Sequence, residues 1–195
     1  MIRKPNNWDN VQEMGEREKL PLGAYVCKVK QVRIQDNDYG SQLAVLYDIT
    51  EGDYKGYYNA DFQANQNPDK KWKGLLRVWL PKDDGSDRDE TTKRIFKGFV
   101  STFERCNPGY TWDWNENSLV GKTVGILYRN EEWDYNGKHG WAARPFRVIS
   151  TDAVREGTYT IPKDKPLNNS SASVRPTHAN VPAGYTKVED DDLPF

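Results

Sequence analysis

The sequence predicts a mainly β (α+β) domain, a five-stranded barrel with one helix between its third and fourth strands, followed by a disordered C-terminal tail. Three observations predict it: period-two apolar runs bounded by turn signals, a single helix-spaced apolar run in mid-chain, and the loss of large apolar side chains after Pro162. The 195 residues have room for one domain with appendages. Hydrophobic content is 36% and mean hydropathy −0.93, so the core is modest and part of the chain stays unpacked. Seven Trp and eleven Tyr nevertheless stand in this polar chain. Such rings either build the core or stay exposed to stack on a ligand.

Residues 1–21 read as an N-terminal extension, with Pro5-Asn6-Asn7-Trp8-Asp9 loop-like and Leu20-Pro21-Leu22-Gly23 marking the start of a domain that spans 22–162. The first strand, Ala24 to Ile34, sets Tyr25, Cys27 and Val29 against Lys28 and Lys30 on the opposite face. Val32 and Ile34 then fall on the parity of the lysines, which predicts a bulge after Gln31, the device by which a strand bends to serve a barrel. Beyond the polar loop 35–41, a second strand lines up Leu43, Val45, Tyr47 and Ile49. A third strand is expected at Tyr57 to Gln63, behind a turn at Glu51-Gly52-Asp53-Tyr54-Lys55-Gly56. Residues 64–90 show no clean period; they hold a basic aromatic stretch from Lys70 to Trp79 and an acidic loop from Asp83 to Asp87.

The helix is the plainest element. Ile95, Phe96, Phe99, Val100, Phe103 and Cys106 share one face, Thr91 or Thr92 offers an N-cap, and Asn107-Pro108-Gly109 stops it. Phe96, Phe99 and Phe103 are core candidates, and Trp112 and Trp114 are expected to pack the loop that follows. Thr123 to Asp134 and Lys138 to Ile149 are strands joined at Tyr135-Asn136-Gly137, and Asn-Gly between strands is a strong hairpin signal. A short helix, Thr151 to Glu156, ends the domain. Three strands, a helix and a hairpin follow the element order of the OB-fold, a partly open barrel that binds single strands across strands 2 and 3 and through the loops joining strands 1–2 and 4–5. Residues 163–188, rich in Asn, Ser, Ala, Pro and Thr, read as a disordered linker that cannot bury enough surface to order itself. Residues 189–195 form an acidic tip.

Lys and Arg number 28 against 29 Asp and Glu, so no overall positive field attracts nucleic acid. Residues 163–195 hold four positive and five negative groups, leaving 24 of each sign in residues 1–162. Any nucleic-acid groove is therefore a local patch of moderate, salt-sensitive affinity. Cys27 and Cys106 lack CxxC or His spacing and read as buried small hydrophobes in a reducing compartment. No apolar run has membrane-spanning length and no hydrophobic leader follows Met1, so a cytoplasmic protein is expected.

The tip joins four carboxylates, Glu189 and Asp190-Asp191-Asp192, to Leu193-Pro194-Phe195 at the free C-terminus. A solubilising tail gains nothing from a terminal Phe, whereas a basic, apolar-lined pocket can take the ring, pair with the α-carboxylate and be approached under steering by the Asp run. Asp190-Asp191-Asp192-Leu193-Pro194-Phe195 resembles the acidic tip of bacterial and phage single-stranded-DNA-binding proteins. That resemblance implies recruitment of host or phage replication, recombination and repair proteins. The body is similar to an uncharacterised family of phages and prophages of Gram-positive bacteria, through Lys4-Pro5-Asn6-Asn7-Trp8-Asp9, Tyr54-Lys55-Gly56-Tyr57 and Asn107-Pro108-Gly109-Tyr110-Thr111-Trp112-Asp113-Trp114. The implied function is non-catalytic protection of single-stranded DNA, with no cofactor; self-association stays open.

Proteins that track single strands pair a cationic groove with aromatic rings. Two stretches supply both. One is Lys70, Lys71, Trp72, Lys73, Arg77 and Trp79. The other is Trp133, Tyr135, Lys138, Trp141 and Arg144 around the Asn136-Gly137 turn, slightly favoured because an OB-fold loop embraces its ligand there. Lys28 and Lys30 could touch phosphates. The competing readings are that these rings are core or cross-strand pairs and that the lysines are a solvated strand face. A phosphoryl-transfer enzyme, the main rival class, would need a phosphate-cradling GxxxxGK[ST] loop, which is absent, or clustered carboxylates for Mg²⁺. Asp83, Asp84, Asp87, Asp89 and Glu90 share one loop that is more simply a solvated turn, and His139 and His178 are too isolated for a triad or a zinc site. A protein-only adaptor is the other alternative.

Overall fold

Alternation decides which side of the sheet is buried. The computed structural model describes residues 3–6, 8 and 19–167. Its strands are β1 (Ala24–Asn37), β2 (Gly40–Ile49), β3 (Leu75–Trp79), β4 (Thr123–Tyr135) and β5 (Lys138–Ile149), and its helices α1 (Tyr57–Ala64), α2 (Asp87–Cys106) and α3 (Thr151–Glu156), with a 3-10 turn at Glu116–Leu119. All five strands form one antiparallel sheet in the order β3-β2-β1-β4-β5. The two edge strands β3 and β5 approach within 8 Å at Cα, but among the described residues no ladder joins them, so the sheet is not closed into the OB-like barrel expected. The register of β1 on β2 slips between Val29 and Gln31, the bulge that the change of period anticipates.

The third strand is the main correction. Tyr57–Ala64 is a helix, and β3 lies at Leu75–Trp79, inside the stretch without a clean period. Two tertiary features fix α1. The buried Asp48 carboxylate accepts the Tyr58 amide at 3.1 Å, and Tyr58 and Asp61, three residues apart, both turn inward. Gly74 then lets the chain pass close to β2, because a Cβ there would sit 2.4 Å from the Tyr47 carbonyl oxygen.

Helix α2 packs Phe96, Phe99 and Phe103 into the core as expected, while Ile95 is 61% exposed and belongs to the other face. The helix begins four residues before Thr91, with Ser86 as N-cap accepting the Asp89 amide. Asn136 and Gly137 both take positive φ, 50° and 72°, as a tight Asn-Gly hairpin turn requires. Residues 163–167, at the start of the expected linker, lie beside β4: the Lys165 amide donates to the Asn130 carbonyl, and its own carbonyl accepts from the Glu132 amide. Residues 168–188 and the tip Glu189 to Phe195 lie outside the described residues, as does His178.

At the heart of the core the Tyr128 hydroxyl lies 2.6 Å from those of both Tyr47 and Tyr58. Tyr25, Tyr54 and Tyr57 extend this cluster through edge-on ring contacts. Most of the surplus tyrosine noticed in the sequence is thus spent on core building. Cys27 is buried and Cys106 half-buried, both as free thiols, and burial pushes the Cys27 thiol well up.

Candidate nucleic-acid interface

The face of β1-β2-β3 turned away from the core is set by the residues that alternate with it. Val32, Leu43, Val45, Leu76 and Val78 point inward, so Arg33, Ala44 and Arg77 point outward. Register aligns these outward residues in three rows: Gln31, Leu46, Leu75; then Arg33, Ala44, Arg77; then Gln35, Gln42, Trp79. Neighbouring strands stand about 4.8 Å apart, so the two arginines flank Ala44 with Cα atoms about 10 Å apart. The nine positions carry two arginines and no carboxylate. At the bulge Lys30 and Gln31 are both exposed, which brings Lys30 and, before it, Lys28 onto the same outward face of β1.

The far end of the face is rimmed by aromatic and charged groups. Trp79 is 39% exposed, and Tyr39, at the β1–β2 turn, is 74% exposed. They border a small cavity of about 90 Å³ together with Leu80, Lys82 and Arg88 and the carboxylates of Asp84 and Asp89. The Lys82 stem lies across Gly40, where a Cβ would come within 2.7 Å of Lys82 Cε, and the Lys82 amide donates to the buried Asp89 carboxylate at 2.7 Å. Lys93 engages Asp83, Asp89 and Glu90 at 2.7, 3.3 and 3.0 Å, so the acidic loop serves as the anchored start of α2. Among the described residues no group of three or more His, Cys, Asp and Glu is placed to hold a metal ion.

The first predicted cluster divides. Arg77 and Trp79 lie on the outward face, and Lys71 is exposed. Trp72 is half-buried, donates its indole N–H to the Tyr47 carbonyl at 2.8 Å and packs on Phe62. Lys70 sits 4.4 Å over the Phe62 ring, and Lys73 pairs with Asp61 at 3.3 Å. Lys70, Trp72 and Lys73 therefore fasten α1 to the sheet.

The hairpin cluster divides as well. Trp133, Tyr135, Lys138 and Arg144 share the outward side of β4–β5, whereas Trp141, opposite Glu132, is on the other side and half-buried. The Trp133 indole lies over Gly140, where a Cβ would meet it at 3.1 Å, so one face of the ring is already covered. Register also separates the two clusters. Ala24 pairs with Leu127, so Tyr128–Tyr135 run past the start of β1, while Tyr39 and Trp79 sit at its end.

Sequence reasoning missed Arg33, Tyr39, Lys82 and Arg88. The signal for Arg33 was present: once Val32 and Ile34 take the inward parity after the bulge, Arg33 must point outward. Trp114, expected to pack a loop, is 80% exposed with φ of 63°, while its neighbour Trp112 packs edge-on against Phe96. His139 is exposed on β5.

Among the described residues no helix is long and apolar enough to cross a membrane. No protein-family model matches the chain. It is similar to cadherin-12 of Homo sapiens, 25% identical over an alignment 166 positions long that covers 75% of this chain and 21% of the cadherin. The chain thus spans about a fifth of the length of that curated relative, a similarity too low and too partial to assign a family.

Proposed function

We propose that the chain is a phage-type, non-catalytic single-stranded-DNA-binding protein whose sheet curls into an OB-like barrel. It protects the strand during replication and recombination in the host cytoplasm. Its acidic tip, Asp190 to Phe195, recruits partner proteins. The observation that carries the reading is the outward face of β1-β2-β3, with its Arg33–Ala44–Arg77 row, the Trp79 ring at its end and no carboxylate in its three rows. Cations at that spacing hold phosphates, and rings at the rim stack bases whatever their identity. The strand order β3-β2-β1-β4-β5 and the close approach of the edge strands support the OB-like reading.

The β4–β5 hairpin, with Tyr135 and Lys138 at its exposed end, would guard the opposite flank. A gel shift with single-stranded against duplex DNA tests the function. Strand-selective binding without turnover is expected; no binding would leave a protein-only adaptor, and cleavage an enzyme. Titration with oligo-dT should also change Trp emission at low salt through Trp79 and Trp133.

A further inference from the structure

We infer that the groove between the C-terminus of α2, the start of α3 and the 51–55 turn is a second phosphate-binding segment for the same single strand, reached from the sheet face through Lys28. The groove is an open depression of about 890 Å³, and five cations and two carboxylates line it, an excess of three positive charges. Both carboxylates are occupied. Arg155 takes Glu51 in a two-pronged pair at 2.8 and 3.0 Å and Asp152 at 3.0 Å. The Arg155 guanidinium beside Glu51 holds its carboxyl below the usual range, so the pair stays charged and braces one wall.

That leaves Lys28, Lys55, Arg105 and Lys122. Among the described residues none of the four pairs with a carboxylate: Arg105 donates to the Thr102 hydroxyl at 3.0 Å, and Lys122 lies 4.5 Å over the Tyr110 ring. Unneutralised cations gathered in an open groove whose own acids are spent favour a polyanion. The occupant is set by continuity. Lys28 lines the groove and also lies on the outward face of β1, five residues before Arg33, a separation of roughly 16 Å at strand rise. Lys30 fills the interval. A strand crossing Arg77 and Arg33 can therefore run down β1 over Lys30 and Lys28 into the groove without leaving cationic surface. Thr123, which lines the groove, adds a hydroxyl that can donate to a phosphate oxygen.

The assignment rests on the strand-binding function proposed above, and oligonucleotide length separates the two. Oligo-dT of about 8 nucleotides covers the sheet face alone, while about 20 nucleotides reach the groove as well, within and beyond the range of a single OB-fold footprint. The triple variant K55A/R105A/K122A should keep wild-type affinity for the short oligomer and lose about tenfold or more for the long one in fluorescence anisotropy. The single variant K55E, at an exposed turn position that leaves Arg105 and Lys122 in place, should show the same selective loss at smaller amplitude. A wild-type protein that binds both lengths, with both variants binding both lengths equally well, overturns the groove assignment alone. Equal losses on both lengths also overturn it, since the groove would then act on the field as a whole. A wild-type protein that binds neither overturns the strand-binding function and the groove with it.

Discussion

Replacing Arg33 and Arg77 together tests the face directly. The two side chains flank Ala44 in one row, on adjacent rungs of β1, β2 and β3, and no carboxylate stands in that row or the rows beside it. If each holds one phosphate, each accounts for about 0.7 in the slope of log affinity against log salt for a single strand. R33A/R77A should therefore lower the slope by about 1.4, which from 50 to 200 mM salt means roughly sevenfold less salt sensitivity. At low salt the affinity itself should fall, and stability should change little because both residues are exposed strand positions. The assay is an anisotropy titration of labelled oligo-dT across salt. The matched control is R94A/K97A, which removes the same charge from exposed positions on α2. An unchanged slope in R33A/R77A, or an equal fall in the control, would refute the placement of the strand on this face.

Other outcomes follow from the same geometry. Trp79→Ala should cost affinity by about 1–3 kcal/mol, one stacked base, with little change in folding, whereas Trp72→Ala should lower stability by about 3–5 kcal/mol, read by urea denaturation. Tyr128→Phe removes the central hydroxyl from the buried Tyr47–Tyr128–Tyr58 chain; it should cost about 2–3 kcal/mol, since two partner hydroxyls lose their bond and only partly satisfy each other. Burial raises the phenols of Tyr25, Tyr47, Tyr58 and Tyr128, so they stay protonated in the folded chain after unfolded tyrosines ionise near pH 10. Stability should be level below about pH 9 and fall toward pH 11 as the unfolded state releases protons, and a flat urea midpoint over that range would contradict it. Removal of residues 190–195 should abolish capture of host replication or recombination proteins while leaving DNA affinity equal or higher.

What the sequence discloses depends on whether a local pattern has a local cause. The bulge at Val29–Gln31, the phenylalanine face of α2 and the Asn136-Gly137 hairpin are each decided by residues within a few positions of one another, and each is legible. Helix α1 is not. Its start depends on Asp48, ten residues away, accepting the Tyr58 amide, and its outer side on Lys70 and Lys73, which only the fold brings beside Phe62 and Asp61. Reading Tyr57–Gln63 as a strand thus has a tertiary cause: helix and basic stretch stabilise each other.

The same reasoning separates overall composition from local charge. A neutral body, 24 charges of each sign over residues 1–162, seems to leave little to attract a polyanion. Yet charge acts where it is not cancelled. Lys93 gathers Asp83, Asp89 and Glu90 at the start of α2, and Arg155 gathers Glu51 and Asp152 at the groove wall, so two bases hold five acids at short range and partly offset their charge. These acids are oriented onto Lys93 and Arg155, whereas Lys28, Lys30, Arg33, Lys55, Arg77 and Lys122 have no carboxylate partner among the described residues and are the groups a phosphate backbone would meet. If the strand does follow them, its affinity should fall steeply with salt although the protein's net charge is close to zero, a combination that only a local arrangement of unanswered cations produces.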